Sequence, residues 1–214
     1  MRPSKDLRVL DRCVGRYLDR LKYLLAAAPY ETRQNLSASF SAIELLTLWG
    51  NFSRAFYISS ALGARTTSGK KITHVNAAIT NKDTSLYFAV LAFGRYDRSK
   101  GVPPRITHRE EPIWYDESLL PRIAADPRMR LSNDSQINAA LSSGSGIFDE
   151  LAVIRNYVAH RNEATRTSVS NVIPFLERKK RQTVNQYLLR PSAGVTVLQQ
   201  WIRDMKLITS IMCA

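Results

Sequence analysis

Apolar residues recur at helical spacing near the start of the chain. Between about residues 4 and 28 they repeat every three or four positions, as one stripe of an amphipathic helix does. The members of this stripe are Leu7, Leu10, Val14, Leu18, Leu21 and Leu25. We expect Ser4 to cap this helix and Pro29 to end it. A second stretch, about residues 39 to 62, is apolar on most of its sides, which predicts a central helix ending at Gly63.

The helical pattern weakens between about residues 64 and 130, where glycine, proline and basic residues interrupt it. We interpret this region as an irregular insertion after the second helix. Residues 84–93 fit either a helix or a strand, and their few β-branched side chains favour the helix. A second, short helix is expected near residues 117–125. The pair Trp114-Tyr115 is expected to anchor the insertion onto the body of the protein, and the pair Glu110-Glu111 is expected to be exposed.

The last third of the chain returns to helical periodicity. It predicts helices over about 135–141, 147–160, 174–189 and 195–212, with a flexible Gly-Ser joint before the second of them. Convincing strands are scarce. The predicted fold class is therefore all-α, a helical bundle that forms one domain over residues 1–214.

Charge is the unusual bulk property. Lys and Arg number 31 against 18 Asp and Glu, which leaves a net charge of +13. A protein this basic commonly binds a polyanion, and we expect nucleic acid to be the partner. A solubilising charge excess and attraction to an anionic membrane surface are the alternatives. The basic residues expected to contact the nucleic acid are Arg161, Lys70, Lys71, Arg178, Lys179, Lys180 and Arg181.

Several other classes of site find no support in the sequence. Cys13 and Cys213 lie at opposite ends of the chain and have no metal-ligand spacing. His74 and His108 are expected to be solvated loop residues. The sequence has no nucleotide-binding glycine loop and no apolar run long enough to cross a bilayer, and residues 1–6 are not followed by the apolar stretch that would predict a signal peptide. We expect a cytoplasmic protein that uses no metal or other cofactor and has no membrane partner.

The segment 147–163 carries the most chemistry. Its spacing predicts a helix whose core stripe consists of Ile147, Leu151, Ile154 and Val158. Asn156 and His160 are four residues apart and share the far face of that helix. This far face also carries small side chains, which predicts that another helix packs there, from the same chain or from a second copy. The small side chains are Ala152, Val153 and Ala159.

Three side chains of this helix are suited to cleaving RNA without a metal. His160 can move a proton from the ribose 2′-OH or to the leaving 5′-oxygen. Arg155 can hold the phosphate and stabilise its extra negative charge, and Asn156 can orient a partner group. The substrate would supply the nucleophile, so DNA should resist cleavage and the product should carry a 2′,3′-cyclic phosphate.

The spacing also poses a geometric problem. Five residues on a regular helix place Arg155 and His160 about 140° apart, so the two do not share a face. Three solutions are open. The long Arg155 side chain wraps around the helix, the helix distorts, or a second subunit completes the site.

The segment Arg155-Asn156-Tyr157-Val158-Ala159-His160 resembles the signature of the HEPN family, and Asp149-Glu150-Leu151 resembles the residues that often precede it. The resemblance implies a HEPN-like helical bundle that dimerises and pairs two such motifs across a cleft. It also implies metal-independent endoribonuclease activity in a toxin–antitoxin, antiviral-defence or RNA-processing setting, with a possible antitoxin or regulatory protein as partner. The insertion of residues 64–130 has no place in this resemblance.

Other hypotheses remain open at this point. A non-catalytic HEPN-like module would use the same fold to bind RNA or a partner protein. A basic helical DNA-binding protein is another class, although no helix-turn-helix is legible. In a purely structural interpretation, Arg155 is a surface residue and His160 interacts with the negative end of its own helix.

Overall fold

Helices make up most of the regular structure of the computed structural model, which describes residues 1–26, 36–93, 106–143, 146–173, 183–192 and 194–214. The all-α prediction is confirmed at this level. In chain order the helices are α1 (Leu7–Ala26), α2 (Leu36–Ala61), α3 (Lys82–Ala92), α4 (Leu119–Ala125), α5 (Asp134–Ser142), α6 (Ile147–His160), α7 (Glu163–Val172), α8 (Val184–Leu188) and α9 (Val197–Cys213). Two strands, β1 (Pro191–Ser192) and β2 (Val195–Thr196), pair antiparallel before α9. None of the described helices is both long and apolar enough to cross a membrane.

The described residues divide into two compact units. Unit 1 is drawn from Met1–Val14, Trp49–Ser143 and Ile208–Ala214, and unit 2 from Gly15–Leu48 and Gly144–Leu207. Helices α1, α2 and α9 contribute residues to both units. The predicted insertion belongs to unit 1 and contains α3 and α4, which confirms both helices expected there.

Helix α1 begins two residues later than predicted. The Asp6 carboxylate, not Ser4, accepts a hydrogen bond from the backbone N–H of Arg8 (2.9 Å) and so caps the helix. The backbone of Arg65 hydrogen-bonds to Lys5 and to Leu7, which keeps residues 5 and 6 beside Arg65 and lets the helix begin at Leu7. The predicted stop at Pro29 lies outside the described residues.

The end of α2 confirms the predicted role of Gly63. This glycine adopts φ +76°, a left-handed conformation that costs glycine little. The Gly63 N–H donates to the Ser60 carbonyl, and the Ala64 N–H donates to the Ser59 carbonyl, both at 3.0 Å. These two bonds satisfy the last carbonyls of the helix and turn the chain sharply into the insertion.

Aromatic side chains of α2 form the centre of unit 1. Trp49, Phe52 and Phe56 are fully buried and stack along one side of the helix. Tyr57 is also buried, and its hydroxyl donates to the Ser85 carbonyl of α3 (2.5 Å). Its ring lies 5.6 Å from that of Trp114, which confirms that Trp114 anchors the insertion.

A buried ion pair corrects one prediction for the insertion. Glu111 was expected to be exposed, but its side chain is only 3% accessible. It accepts two hydrogen bonds from the Arg54 guanidinium of α2, at 2.5 and 2.6 Å, and one from Trp114 Nε1 at 2.8 Å. Burial alone raises the pKa of Glu111, but the hydrogen bonds from Arg54 and Trp114 and the Arg54 charge outweigh it and lower the pKa overall.

In unit 2, polar contacts join helices that are distant in sequence. Tyr17 of α1 donates to Glu44 of α2, and Lys206 of α9 pairs with Asp19 of α1 at 3.1 Å. A second contact joins Ser39 of α2 to Asn185 of α8. These contacts join α1 to α2, α1 to α9 and α2 to α8 within unit 2.

Unit 2 contains two departures from the predicted helices. Helix α7 was not predicted, although the Asn162–Thr165 capping box at its start is a legible signal. A continuous helix over 174–189 is wrong, because Thr183 is extended (ψ 159°) and caps a separate helix α8. Residues 174–182 lie outside the described residues.

We predict that Glu111→Ala lowers the free energy of unfolding by about 3 kcal/mol, because it leaves the Arg54 charge unpaired in a largely buried place. Chemical denaturation would measure this. The control is Glu110→Ala, which removes an exposed neighbouring carboxylate. Because folding lowers the pKa of Glu111, its stabilising contribution is present above the usual value of 4.5 and is lost as the pH falls through the lowered value. A difference between variant and wild type that does not shrink in acid would contradict this account.

Candidate active site

The motif helix α6 has the bounds that its sequence predicts, Ile147–His160. Gly146, the N-cap residue just before it, adopts φ +92°. The first turn of the helix carries Asp149 and Glu150, two acidic residues that are favoured at the positive end of a helix. The core stripe is confirmed, since Ile147, Leu151 and Ile154 are buried and Val158 is half-buried. Phe148 is buried as well and widens this stripe.

The motif side chains lie on the accessible side of α6. Arg155 is half-buried, whereas Asn156 and His160 are exposed. The Arg155 guanidinium (Nη1) donates a hydrogen bond to the Asn156 amide oxygen (Oδ1) at 2.9 Å. Asn156 therefore draws Arg155 toward the face that carries His160.

This hydrogen bond answers part of the geometric problem. Helix α6 is regular through His160, so distortion of the helix is not the solution. The Arg155 side chain does reach around toward the far face. Within the described residues its guanidinium is hydrogen-bonded to Asn156, and no hydrogen bond joins it to His160.

A tight turn carries the chain from α6 into α7, and the two helices pack against each other. Arg161 forms this turn with φ +45°, and its N–H donates to the Tyr157 carbonyl at 2.8 Å. The Asn162 side chain then accepts the Thr165 N–H (2.9 Å) and starts α7. The turn places the exposed Arg161 directly after the exposed His160.

The C-terminal half of the far face of α6 is exposed to solvent. Ala152 and Val153 are half-buried, whereas Ala159 is exposed together with Asn156 and His160. The described part of this chain thus leaves the end of that face uncovered. The expected second helix from another copy of the chain stays a prediction.

A half-buried carboxylate and a buried tyrosine, a pair that sequence reasoning missed, join α6 to α8 in unit 2. The Tyr187 hydroxyl of α8 donates to the Glu150 carboxylate (Oε2) at 2.6 Å, and the Tyr187 ring lies 6.3 Å from that of Trp201 on α9. Burial raises the pKa of Glu150, and the hydrogen bond from Tyr187 offsets this only in part. Burial and the nearby carboxylate raise the pKa of Tyr187.

The described residues among those expected to guide RNA belong to different units. Arg161 belongs to unit 2 with the motif, whereas Lys70 and Lys71 lie in an exposed turn of unit 1. The turn is held by hydrogen bonds between Thr66, Gly69 and Lys70. The other four, Arg178, Lys179, Lys180 and Arg181, lie outside the described residues. Nor do the described ranges contain a cluster of three or more His, Cys, Asp or Glu side chains that could hold a metal ion.

Comparisons of this chain with protein-family models, with curated proteins and with solved structures give no match. The HEPN resemblance therefore rests on the sequence of residues 149–160.

We predict that Glu150→Gln raises the thermal midpoint at neutral pH, because it removes the cost of burying a charge and keeps an oxygen to accept the Tyr187 hydrogen bond. The pKa of Glu150 is raised by folding, so its favourable contribution is present at low pH and is lost as the pH rises through the raised value. The gain should therefore vanish near pH 4 and grow toward neutral pH. The control Asp149→Asn, at an exposed position of the same turn, should instead destabilise slightly. A gain for Glu150→Gln that is the same at every pH would refute the burial argument.

We predict that Arg161→Gly stabilises the protein by about 1 kcal/mol, because a left-handed conformation is unfavourable for every residue that has a Cβ. Urea denaturation would measure the change. Arg166→Ala removes an exposed charge from α7 without touching the turn and should change stability by less than about 0.5 kcal/mol. A loss of stability in Arg161→Gly would mean that the arginine side chain makes a contact worth more than the strain.

Proposed function

We propose that this protein is a metal-independent endoribonuclease of the HEPN type, with His160, Arg155 and Asn156 as its catalytic residues. The observation that carries the proposal is the arrangement on α6, where an exposed histidine shares a face with an asparagine that holds an arginine at 2.9 Å. The net charge of +13 supports a polyanionic substrate.

Each residue has a distinct role in the proposed reaction. The His160 imidazole accepts the proton of the ribose 2′-OH, whose oxygen attacks the adjacent phosphorus. The bond from phosphorus to the 5′-oxygen breaks, that oxygen takes up a proton, and a 2′,3′-cyclic phosphate remains. Arg155 stabilises the charge that builds up on the phosphate oxygens. Asn156 positions Arg155 through its amide oxygen, which leaves its amide N–H groups to bind phosphate.

The proposed site is completed by a second copy of the chain. An in-line displacement needs a base on one side of the phosphorus and an acid on the other, and one His160 cannot stand on both sides. Two copies of α6 facing each other would supply two histidines. The exposed end of the α6 far face, with Asn156, Ala159 and His160, is where we place this homodimer contact. Arg161 would bind the RNA backbone beside it.

The biological setting we propose is a toxin–antitoxin, antiviral-defence or RNA-processing system, in which a regulatory protein or antitoxin restrains the activity. Such an enzyme harms its own cell when unrestrained. Expression of the wild type should accordingly slow growth, and expression of an inactive variant should not.

We predict that His160→Ala lowers RNA cleavage by at least 100-fold, because it removes the proton-transfer group. The assay uses a mixed RNA pool with EDTA present and analyses the product ends for cyclic phosphate. The matched control is His108→Ala, which removes an exposed histidine of unit 1 and should cleave as the wild type does. Circular dichroism would establish that both variants fold. Cleavage by His160→Ala at the wild-type rate would remove the proposal.

We further predict that mixing the wild type with an equal amount of His160→Ala lowers the activity to about a quarter of that of the same total amount of wild type. If the proposed site needs His160 from both copies, only dimers of two wild-type chains are active, and random exchange makes these about a quarter of all dimers. A value near about one half in demonstrably mixed dimers would show that each copy cleaves independently and would contradict a site shared in this way.

RNA binding without cleavage by the wild type would favour the second candidate, a non-catalytic HEPN-like module for RNA or protein. The observation on its side is that Arg155 is bound to Asn156 and makes no hydrogen bond to His160 within the described residues.

A further inference from the structure

A pocket of about 300 Å³ opens in unit 1, where α2 ends and the chain turns toward α3. Its volume is at the lower end of the range for pockets that bind small organic ligands. The pocket is separate from the motif on α6, and no role described so far uses it.

The inner part of the pocket is apolar and well formed. Ile72 and Ile79 line it and are almost completely buried, at 2% and 6% exposure. The Ile72 N–H donates to the Ala64 carbonyl (2.9 Å), which ties this wall to the end of α2. Leu62 adds an exposed apolar edge at the mouth.

Lys71 lines the pocket, and its aliphatic stem lies close to Gly63 at the end of α2. The Cε atom of Lys71 lies 3.2 Å from the point where a Cβ on Gly63 would stand. The absence of a side chain at Gly63 therefore lets the Lys71 stem lie flat over the helix end. Its ammonium group has no acidic partner within the described residues and is available to an anion.

Three further polar side chains complete the lining. Thr73 and Thr80 are exposed, and neither hydroxyl is hydrogen-bonded in the described part of the chain. His74 was expected to be solvated but is half-buried, and its Nδ1 atom is inaccessible and without a partner among the described residues. The ring nitrogen left for a ligand is thus Nε2.

We propose that this pocket binds a small organic phosphate. The phosphate group lies against Lys71 and the threonine hydroxyls, and the organic body lies against the exposed side chain of Leu62 and the small accessible parts of Ile72 and Ile79. A lysine ammonium acts as a point charge suited to phosphate, whereas recognition of a carboxylate favours the fork of an arginine. The apolar wall adds affinity that an inorganic anion cannot use.

The test is calorimetric titration of the full chain with adenosine 5′-monophosphate and with ribose 5-phosphate, at constant ionic strength. Inorganic phosphate and adenosine serve as the two half-ligands. Lys71→Gln removes the charge in the pocket, and Lys70→Gln is the matched control, because it removes an exposed neighbouring charge that does not line the pocket. Thr80→Val tests the hydroxyl contact.

We expect at least one of the two organic phosphates to bind at least tenfold tighter than inorganic phosphate or adenosine. Lys71→Gln should weaken that binding at least tenfold, Thr80→Val should weaken it less, and Lys70→Gln should leave it within twofold. Equal losses in the two lysine variants, or equal affinity for inorganic phosphate, would show simple attraction to a basic surface and overturn the proposal. So would the lack of saturable binding of either organic phosphate up to about 10 mM. None of these outcomes depends on the ribonuclease proposal.

Discussion

The burial of one apolar stripe decides what α6 can do. Ile147, Leu151 and Ile154 are inaccessible to solvent or nearly so, and each contributes about 1.5–3 kcal/mol when it is buried. Turning the helix about its axis would expose these side chains to water, so their burial fixes which side of α6 faces the interior. Because positions four apart share a face, the same rotation leaves Asn156 and His160 accessible together. Arg155 lies at the margin of the stripe, and the hydrogen bond to Asn156 brings its charged end toward that accessible face.

Each unit also contains a carboxylate, buried in unit 1 and half-buried in unit 2, whose partner determines its pKa. Glu111 in unit 1 faces a full positive charge on Arg54, so its ionised form is favoured in spite of burial. Glu150 in unit 2 faces the neutral hydroxyl of Tyr187, so burial prevails and its ionised form is disfavoured. The contrast follows from charge, because a neutral donor offsets much less of the lost hydration than a cation does.

The site that we propose needs a second chain, because a single α6 presents one histidine and an arginine that is hydrogen-bonded to Asn156. Small side chains, half-buried or exposed, lie beside these residues on α6. The pocket of unit 1 has a different basis, since it lies at the glycine end of α2, where the stem of Lys71 approaches Gly63.

The sequence by itself determined the all-helical class, the extent of α6 and the helix end at Gly63. These features depend on periodicity and on terminal signals that act over a few residues. It also determined the net charge of the protein and the spacing of Arg155, Asn156 and His160 in the motif. Helix α7 could have been read from its capping box.

Only the tertiary structure decided which distant residues meet. Nothing in the local pattern pairs Arg54 with Glu111 or Glu150 with Tyr187, because those contacts depend on how helices far apart in the chain pack together. The same holds for the burial of Glu111, which looked exposed among its polar neighbours, and for the pocket beside Gly63. A short stretch of sequence determines the conformational preference of that stretch alone. These contacts join residues far apart in the chain and form only after the loops between them have closed.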